Sequence, residues 1–161
     1  MIGTTVTGST STVVDRFFEA LRRADMSVID HCYHAQISYS DPLFEDLRGA
    51  RVALRWRMLL AQAGSFSLEH SLVFADERKA QVQWTADYRL NGRPVRISML
   101  STLAIWDDLI VRQVDEYDLW KYCRQAQGLA GVLLGGMQPF QKIIKRRARN
   151  ELERFATSVL A

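Results

Sequence analysis

KAQVQWTADYRLNGRPVRISMLSTLAIW, residues 79–106, decides the fold. In its first half Ala80, Val82, Trp84, Ala86, Tyr88 and Leu90 alternate with Lys79, Gln81, Gln83, Thr85, Asp87 and Arg89. That period of two marks a strand with one buried face. Asn91-Gly92 tolerates left-handed backbone at both positions and is the strongest short hairpin signal, so the chain should return on itself from Val95 to Trp106. Asp107-Asp108 makes the next turn, into a strand over 109–119. Ahead of Lys79, the shared face of Phe66, Leu68, His70, Leu72 and Phe74 reads as one more strand. Four long antiparallel strands are expected in succession.

The chain on the N-terminal side of this meander is helical in period. Thr12 and Asp15 have capping-box spacing, and Val13, Phe17, Leu21 and Ala24 follow at helical intervals, giving a helix over 12–24. Ser27 and Asp30 open a second helix over 27–33. A brief strand then puts Ile37, Tyr39 and Asp41 on one face, and Pro42, which lacks an amide hydrogen, ends it. A third helix over 49–63 aligns Val52, Trp56, Leu59, Leu60 and Ala63, with Arg51 and Arg55 expected opposite them. After the strands come a helix over 120–127, a Gly-rich apolar bend over 128–137, and a helix after Pro139 whose Phe140, Ile143, Ile144, Leu152, Phe155 and Val159 form an apolar stripe.

Helices gathered on one face of a curved antiparallel sheet make an α+β domain. The chain has 161 residues, enough for one domain with a substantial core. The expected layout is a disordered N-terminus over 1–10, the α+β pocket domain over 11–119, and a helical extension over 120–161 packed on it. Residues 1–10 are small and polar and lack the basic-then-apolar order of a secretion signal. Cys32 and Cys123 show no ligand spacing, which suits reduced thiols in a cytoplasmic setting. The net charge of +3 comes without a nucleic-acid recognition motif, so nucleic acid is not an expected partner. For the extension, docking as a lid or brace leads over a dimer element or a helix lying on an anionic membrane.

Tyr39-Ser40-Asp41-Pro42, followed by Leu47-Arg48-Gly49 and by Asp115-Glu116-Tyr117-Asp118 in the last strand, resembles the NTF2-like superfamily of SnoaL-like polyketide cyclases, ketosteroid isomerases and limonene-epoxide hydrolases. The resemblance covers residues 13–120. It implies an NTF2-like (cystatin-like) cone, in which a curved sheet and three helices enclose a deep pocket, often in a homodimer. A small apolar or polycyclic ligand is expected, and no cofactor, because there is no Gly-rich phosphate loop and no metal constellation.

Asp41 matches the position of the isomerases' general base. The tyrosine and protonated aspartate that stabilise the enolate in those enzymes are not matched: Phe17 stands at the first position and Ser101 or Thr102 at the second. Without such donors the transition state loses several kcal/mol, which argues against steroid isomerisation. The last strand should turn Gln113, Asp115 and Tyr117 inward, giving a second carboxylate. Two carboxyls in an apolar cavity can divide into a base and an acid. The epoxide hydrolases place an arginine between theirs. Arg112 should point away, and no counterpart is evident.

The expected catalytic residues are therefore Asp41, Asp115 and Tyr117, and the expected ligand-binding residues Phe17, Tyr39, Trp56, His70, Ser101, Thr102 and Gln113. Each has a competing structural role. Asp41 precedes a proline and can cap a turn, Asp115 can pair with an arginine, and His70 can be a hydrogen-bonded core histidine. Trp56, Trp84 and Trp106 read as core or pocket wall. His31 and His34 lie one helical turn apart, but no third ligand accompanies them, so no metal is expected. Enzymatic isomerisation, cyclisation or lysis by aspartate acid/base chemistry leads. The alternative is a non-catalytic module that uses the same cone to hold a ligand or partner.

Overall fold

The computed structural model describes residues 8–161. Twelve elements follow in order: α1 Gly8–Arg22, α2 Met26–Cys32, β1 Tyr33–Ser40, β2 Leu47–Arg48, α3 Ala50–Gln62, β3 Ala63–Ala75, β4 Lys79–Leu90, β5 Arg93–Trp106, β6 Leu109–Glu116, α4 Leu119–Ala126, α5 Gly128–Leu134 and α6 Gln138–Leu160. The expected disordered segment lies outside the described residues over 1–7. Over 8–10, however, the chain is already helical, and buried Thr10 donates its hydroxyl to the Glu77 carbonyl at 3.1 Å.

The four expected strands form as a meander, and their turns explain the register. Leu90 pairs with Arg93 and Trp106 with Leu109, so each connection holds two residues. All four turn residues have positive φ: Asn91 52°, Gly92 78°, Asp107 52° and Asp108 58°. This geometry matches the right-handed twist of the flanking strands. Bulges at 72/74 and 104/105 add curvature. The sheet order is β2-β1-β6-β5-β4-β3. β1 lies parallel to β6, so the sheet is mixed, and Tyr39 stands beside Gln113. That long-range pairing brings the motif of β1 against the motif of β6.

Helices α1 and α3 cover the concave face. Phe17, Phe18, Trp56, Trp84, Tyr39 and Leu103 are almost wholly buried there. Some expected core positions lie elsewhere. Trp106 is 58% exposed at its turn, and Leu72 and Phe74 of β3 are exposed, with the bulge between them setting Phe74 opposite Gln81. The Gly-rich bend is itself the helix α5. α6 packs along α3, with Arg51 paired to Glu153 and Lys145 to Glu45. Among the described residues no helix is long and apolar enough to cross a membrane.

Candidate functional site

β1 ends in a tight polar turn built on Asp41. Its Oδ1 accepts the amides of Leu43 at 2.7 Å and Phe44 at 2.8 Å, while its own amide donates to the Phe44 carbonyl. The competing role of turn cap is thus filled. Its Oδ2 accepts Tyr39 Oη at 2.8 Å and Arg55 Nη2 at 3.0 Å. The Asp41 side chain has no exposure.

Arg55 is the residue that sequence reasoning misplaced. It lies among the buried residues of α3, 8% exposed, with its guanidinium carbon 4.0 Å from the Trp56 ring centroid. The spacing that would have placed it inside is Val52, Arg55, Trp56, Leu59, the i, i+3, i+4, i+7 set of a core-facing stripe. Burial works against its charge, yet Tyr39, Asp41, Tyr117 and Asp115 around it hold the guanidinium above its ordinary pKa. Among the described residues its buried Nε and Nη1 have no hydrogen-bond partner.

Asp115 lies across Tyr39 from Asp41. Its Oδ1 accepts the Ser101 hydroxyl at 2.5 Å and Gln113 Nε2 at 3.0 Å, and its Oδ2 stands 2.9 Å from Tyr39 Oη. Trp84 Nε1 donates to Ser101 Oγ, Tyr33 Oη donates to Gln113 Oε1, and Trp56 Nε1 donates to Tyr33 Oη. The indoles of α3 and β4 thus tie the cluster to the core.

Tyr39 has one hydroxyl hydrogen but a carboxyl oxygen on each side. One hydrogen cannot satisfy two anions. Arg55 supports a negative charge on Asp41, whereas burial pushes the Asp115 carboxyl up, against the partial opposition of Ser101, Arg55 and Gln113. The Tyr39 hydroxyl lies 2.8 Å from Asp41 Oδ2 and 2.9 Å from Asp115 Oδ2, so a proton on Asp115 Oδ2 would let both contacts be hydrogen bonds at once. Burial pushes the Tyr39 hydroxyl itself well up, so it is a neutral group.

A cavity of about 330 Å³ lies against this cluster. Phe44, Met58, Phe66, Trp84, Ile97 and Met99 give it an apolar lining, Arg55 and Tyr117 a polar one, and Ile144, Arg147, Ala148 and Glu151 of α6 close one side. Tyr88 and Tyr122 also line it, and among the described residues neither they nor Tyr117 hydrogen-bond their hydroxyls to another side chain. Burial pushes Tyr88 up to about 12 and Tyr117 and Tyr122 upward too, so all three present neutral donors.

The expected site residues divide accordingly. Trp56 and Tyr117 line the cavity. Asp41, Tyr39, Asp115, Ser101 and Gln113 come together, but behind its wall. Phe17 packs edge-on to Trp56, with ring centroids 6.0 Å apart, and supports that wall from α1. His70 is a correction: it stacks on Phe18 at 5.1 Å near Asp15, because β3 presents it to α1 and not to the cavity. Thr102 is another. One residue on from Ser101, it faces the outer side of the sheet and accepts from Gln81 Nε2. Arg112 is exposed, as expected. His31 and His34 bond locally to Ser27 and Gln36, and among the described residues no cluster of three or more His, Cys, Asp or Glu side chains could hold a metal.

An α+β cone with an acid cluster beneath an apolar cavity defines a class of pocket proteins, and residues 14–113 match the family model of the SnoaL-like domain. The chain belongs to the SnoaL-like domain family. An LEH-like epoxide hydrolase of Mycobacterium tuberculosis is similar in structure, with TM-score 0.62, 20% identity, and coverage of 80% of this chain and 97% of its own. TsrD from Streptomyces laurentii superposes with TM-score 0.64 at 24% identity, covering 75% and 96%. TerC, crystallised with polyporic acid, gives TM-score 0.67 at 13% identity, covering 75% and 100%. At these identities the likeness concerns the fold. No curated protein matches the sequence.

Proposed function

We propose that the chain is a cofactor-independent small-molecule enzyme of isomerase or cyclase type, acting on a mostly apolar substrate that carries a carbonyl oxygen. The observation that carries this reading is the Tyr39 hydroxyl held between Asp41 and Asp115, with Arg55 on Asp41, directly behind the cavity. It is a store of one mobile proton in a low-dielectric site, as acid/base chemistry requires. The cavity offers donors: Arg55, Tyr88, Tyr117 and Tyr122 meet a ligand's acceptor oxygens, while the aromatic lining suits a flat ring. Similarity to an epoxide hydrolase and to a protein crystallised with polyporic acid supports a small organic ligand.

Charge balance favours a neutral substrate. At rest Arg55 is neutralised by Asp41. When Asp41 takes a proton from the carbon next to the carbonyl, the guanidinium passes to the new enolate oxygen and the net charge of the site is unchanged. Arg55 and Tyr117 then stabilise the oxyanion, a task for which Phe17 has no donor and the Ser101 hydroxyl is already given to Asp115. Transfer needs Asp41 Oδ2 to exchange Arg55 for substrate, a short side-chain movement.

The test is solvent deuterium incorporation into an enolisable bicyclic ketone such as 2-tetralone, followed by proton NMR. Exchange catalysed by the protein and reduced at least about a hundredfold in Tyr117→Phe with Asp115→Asn supports the reading. Exchange at the buffer rate for such ketones, bound or unbound, contradicts it. A second reading, ligand binding without turnover, is favoured by the fact that the Asp41 carboxylate has no exposure and four partners already. Under that reading such ketones bind and are not exchanged.

A further inference from the structure

α5 has its polarity of size reversed. The face toward the domain is glycine: Gly128, Gly131 and Gly135 are buried, Gly128 against Arg93 and the other two against α4, where a Cβ on Gly131 would fall 1.8 Å from the Cys123 carbonyl oxygen. The large aliphatic side chains point out. Leu129 is 74% exposed, Leu133 69%, and Val132 and Leu134 are exposed as well. Trp120 on α4 and Met137 and Ile143 around the start of α6 extend this exposed apolar surface. A helix that contributes glycine to its own domain and leucine to solvent is built for an outside partner.

Charge narrows that partner. From 119 to 150 the chain carries Lys121, Arg124, Lys142, Lys145, Arg146, Arg147 and Arg149 and no acidic residue, so the rest of a chain whose net charge is +3 is net acidic. Lys145 pairs with Glu45, Arg147 borders the cavity, and Arg124 lies over the Trp120 ring at 5.2 Å. Among the described residues Lys121, Lys142, Arg146 and Arg149 make no ion pair, and all four are exposed. Lys142, Arg146 and Arg149, four and three residues apart, form one stripe on α6. A second copy of the chain is a poor fit, since a two-fold interface would set this basic surface against itself. Nucleic acid is a poor fit too, because exposed leucine and valine offer nothing to phosphates or bases.

We infer that the α4–α6 surface docks on an anionic lipid bilayer. Leu129, Val132, Leu133 and Met137 enter the interface, Trp120 lies at headgroup depth, and the unpaired basic residues meet the phosphates. The side of α6 that borders the cavity is a different one, formed by Ile144, Arg147, Ala148 and Glu151. Docking therefore leaves the cavity wall in place, and the inference is independent of what the cavity does.

The experiment is flotation of the full chain with phosphatidylcholine vesicles, with and without phosphatidylglycerol, at low and raised salt. The protein should float with the anionic vesicles, less so as salt rises. Leu129→Ser with Leu133→Ser should weaken partitioning about tenfold or more without loss of folding, since both residues are exposed. Lys142→Gln with Arg146→Gln should weaken it about fivefold per charge. Protein that stays in the soluble fraction with anionic vesicles at low salt overturns the inference. So does a dimer, seen by sedimentation without lipid, that the two serine substitutions disperse while vesicle binding is absent.

Discussion

α3 and α5 both break the rule that apolar side chains go inside and charges outside, and they do so in opposite ways. α3 buries Arg55, and α5 exposes Leu129 and Leu133. The exception in α3 is largely answered within the chain: Asp41 neutralises the guanidinium, Trp56 and Tyr39 stack on it, and only Nε and Nη1 remain open. Among the described residues nothing covers the outer side of α5. Changes at the first should register in stability, whereas changes at the second should register only when a partner is present.

The largest effect is expected at Asp41. Asp41→Asn leaves Arg55 buried without its counter-ion and should cost about 3–5 kcal/mol by urea unfolding. A loss near zero would mean that the guanidinium reaches solvent and that α3 is no exception. The next effect is in pH. Asp115 is raised from its ordinary 3.8, so the folded state binds its proton more tightly than the unfolded chain does. Its contribution is full below the unfolded pKa and is lost as pH rises through the folded one, a slope approaching about 1.4 kcal/mol per pH unit. Asp115→Asn should remove that slope in pH-dependent denaturation.

Below the unfolded pKa of Asp115 the same Asp115→Asn should change stability by less than about 1 kcal/mol, because an amide can donate to Tyr39 and accept from Ser101 as the protonated acid does. The contrast between two Asp→Asn changes on either side of one tyrosine is therefore steep. The smallest effect belongs to α5, where Leu133→Ser should leave unfolding within about 0.5 kcal/mol of the parent, whatever it does to vesicle binding.

What the sequence made legible was local. The alternation from Lys79 to Leu90 and the Asn91-Gly92 turn carried the meander because period and turn chemistry act over a few residues. Asp41 and Tyr39 were legible as sharing an environment because they are two apart on one strand. Arg55 was not: its charge suggested an outward face although its spacing matched the buried stripe, and only Asp41, fourteen residues away, makes that burial tolerable. The parallel pairing of β1 with β6, which brings Asp115 to Tyr39, joins segments 76 residues apart and leaves no local trace. α5 read as a bend because the four glycines over 128–137 usually break a helix, whereas here Gly131 and Gly135 let it approach α4 closely.

The proposed sharing of one proton is tested at Asp115 itself, by following its side-chain carboxyl carbon by NMR as pH is raised through the acid range. It should titrate above 3.8, with Tyr39→Phe shifting the midpoint because the phenol between Asp115 and Asp41 is removed. Titration of Asp115 at or below 3.8 would put two charges on one phenol and contradict the acid/base cluster from which the function is read.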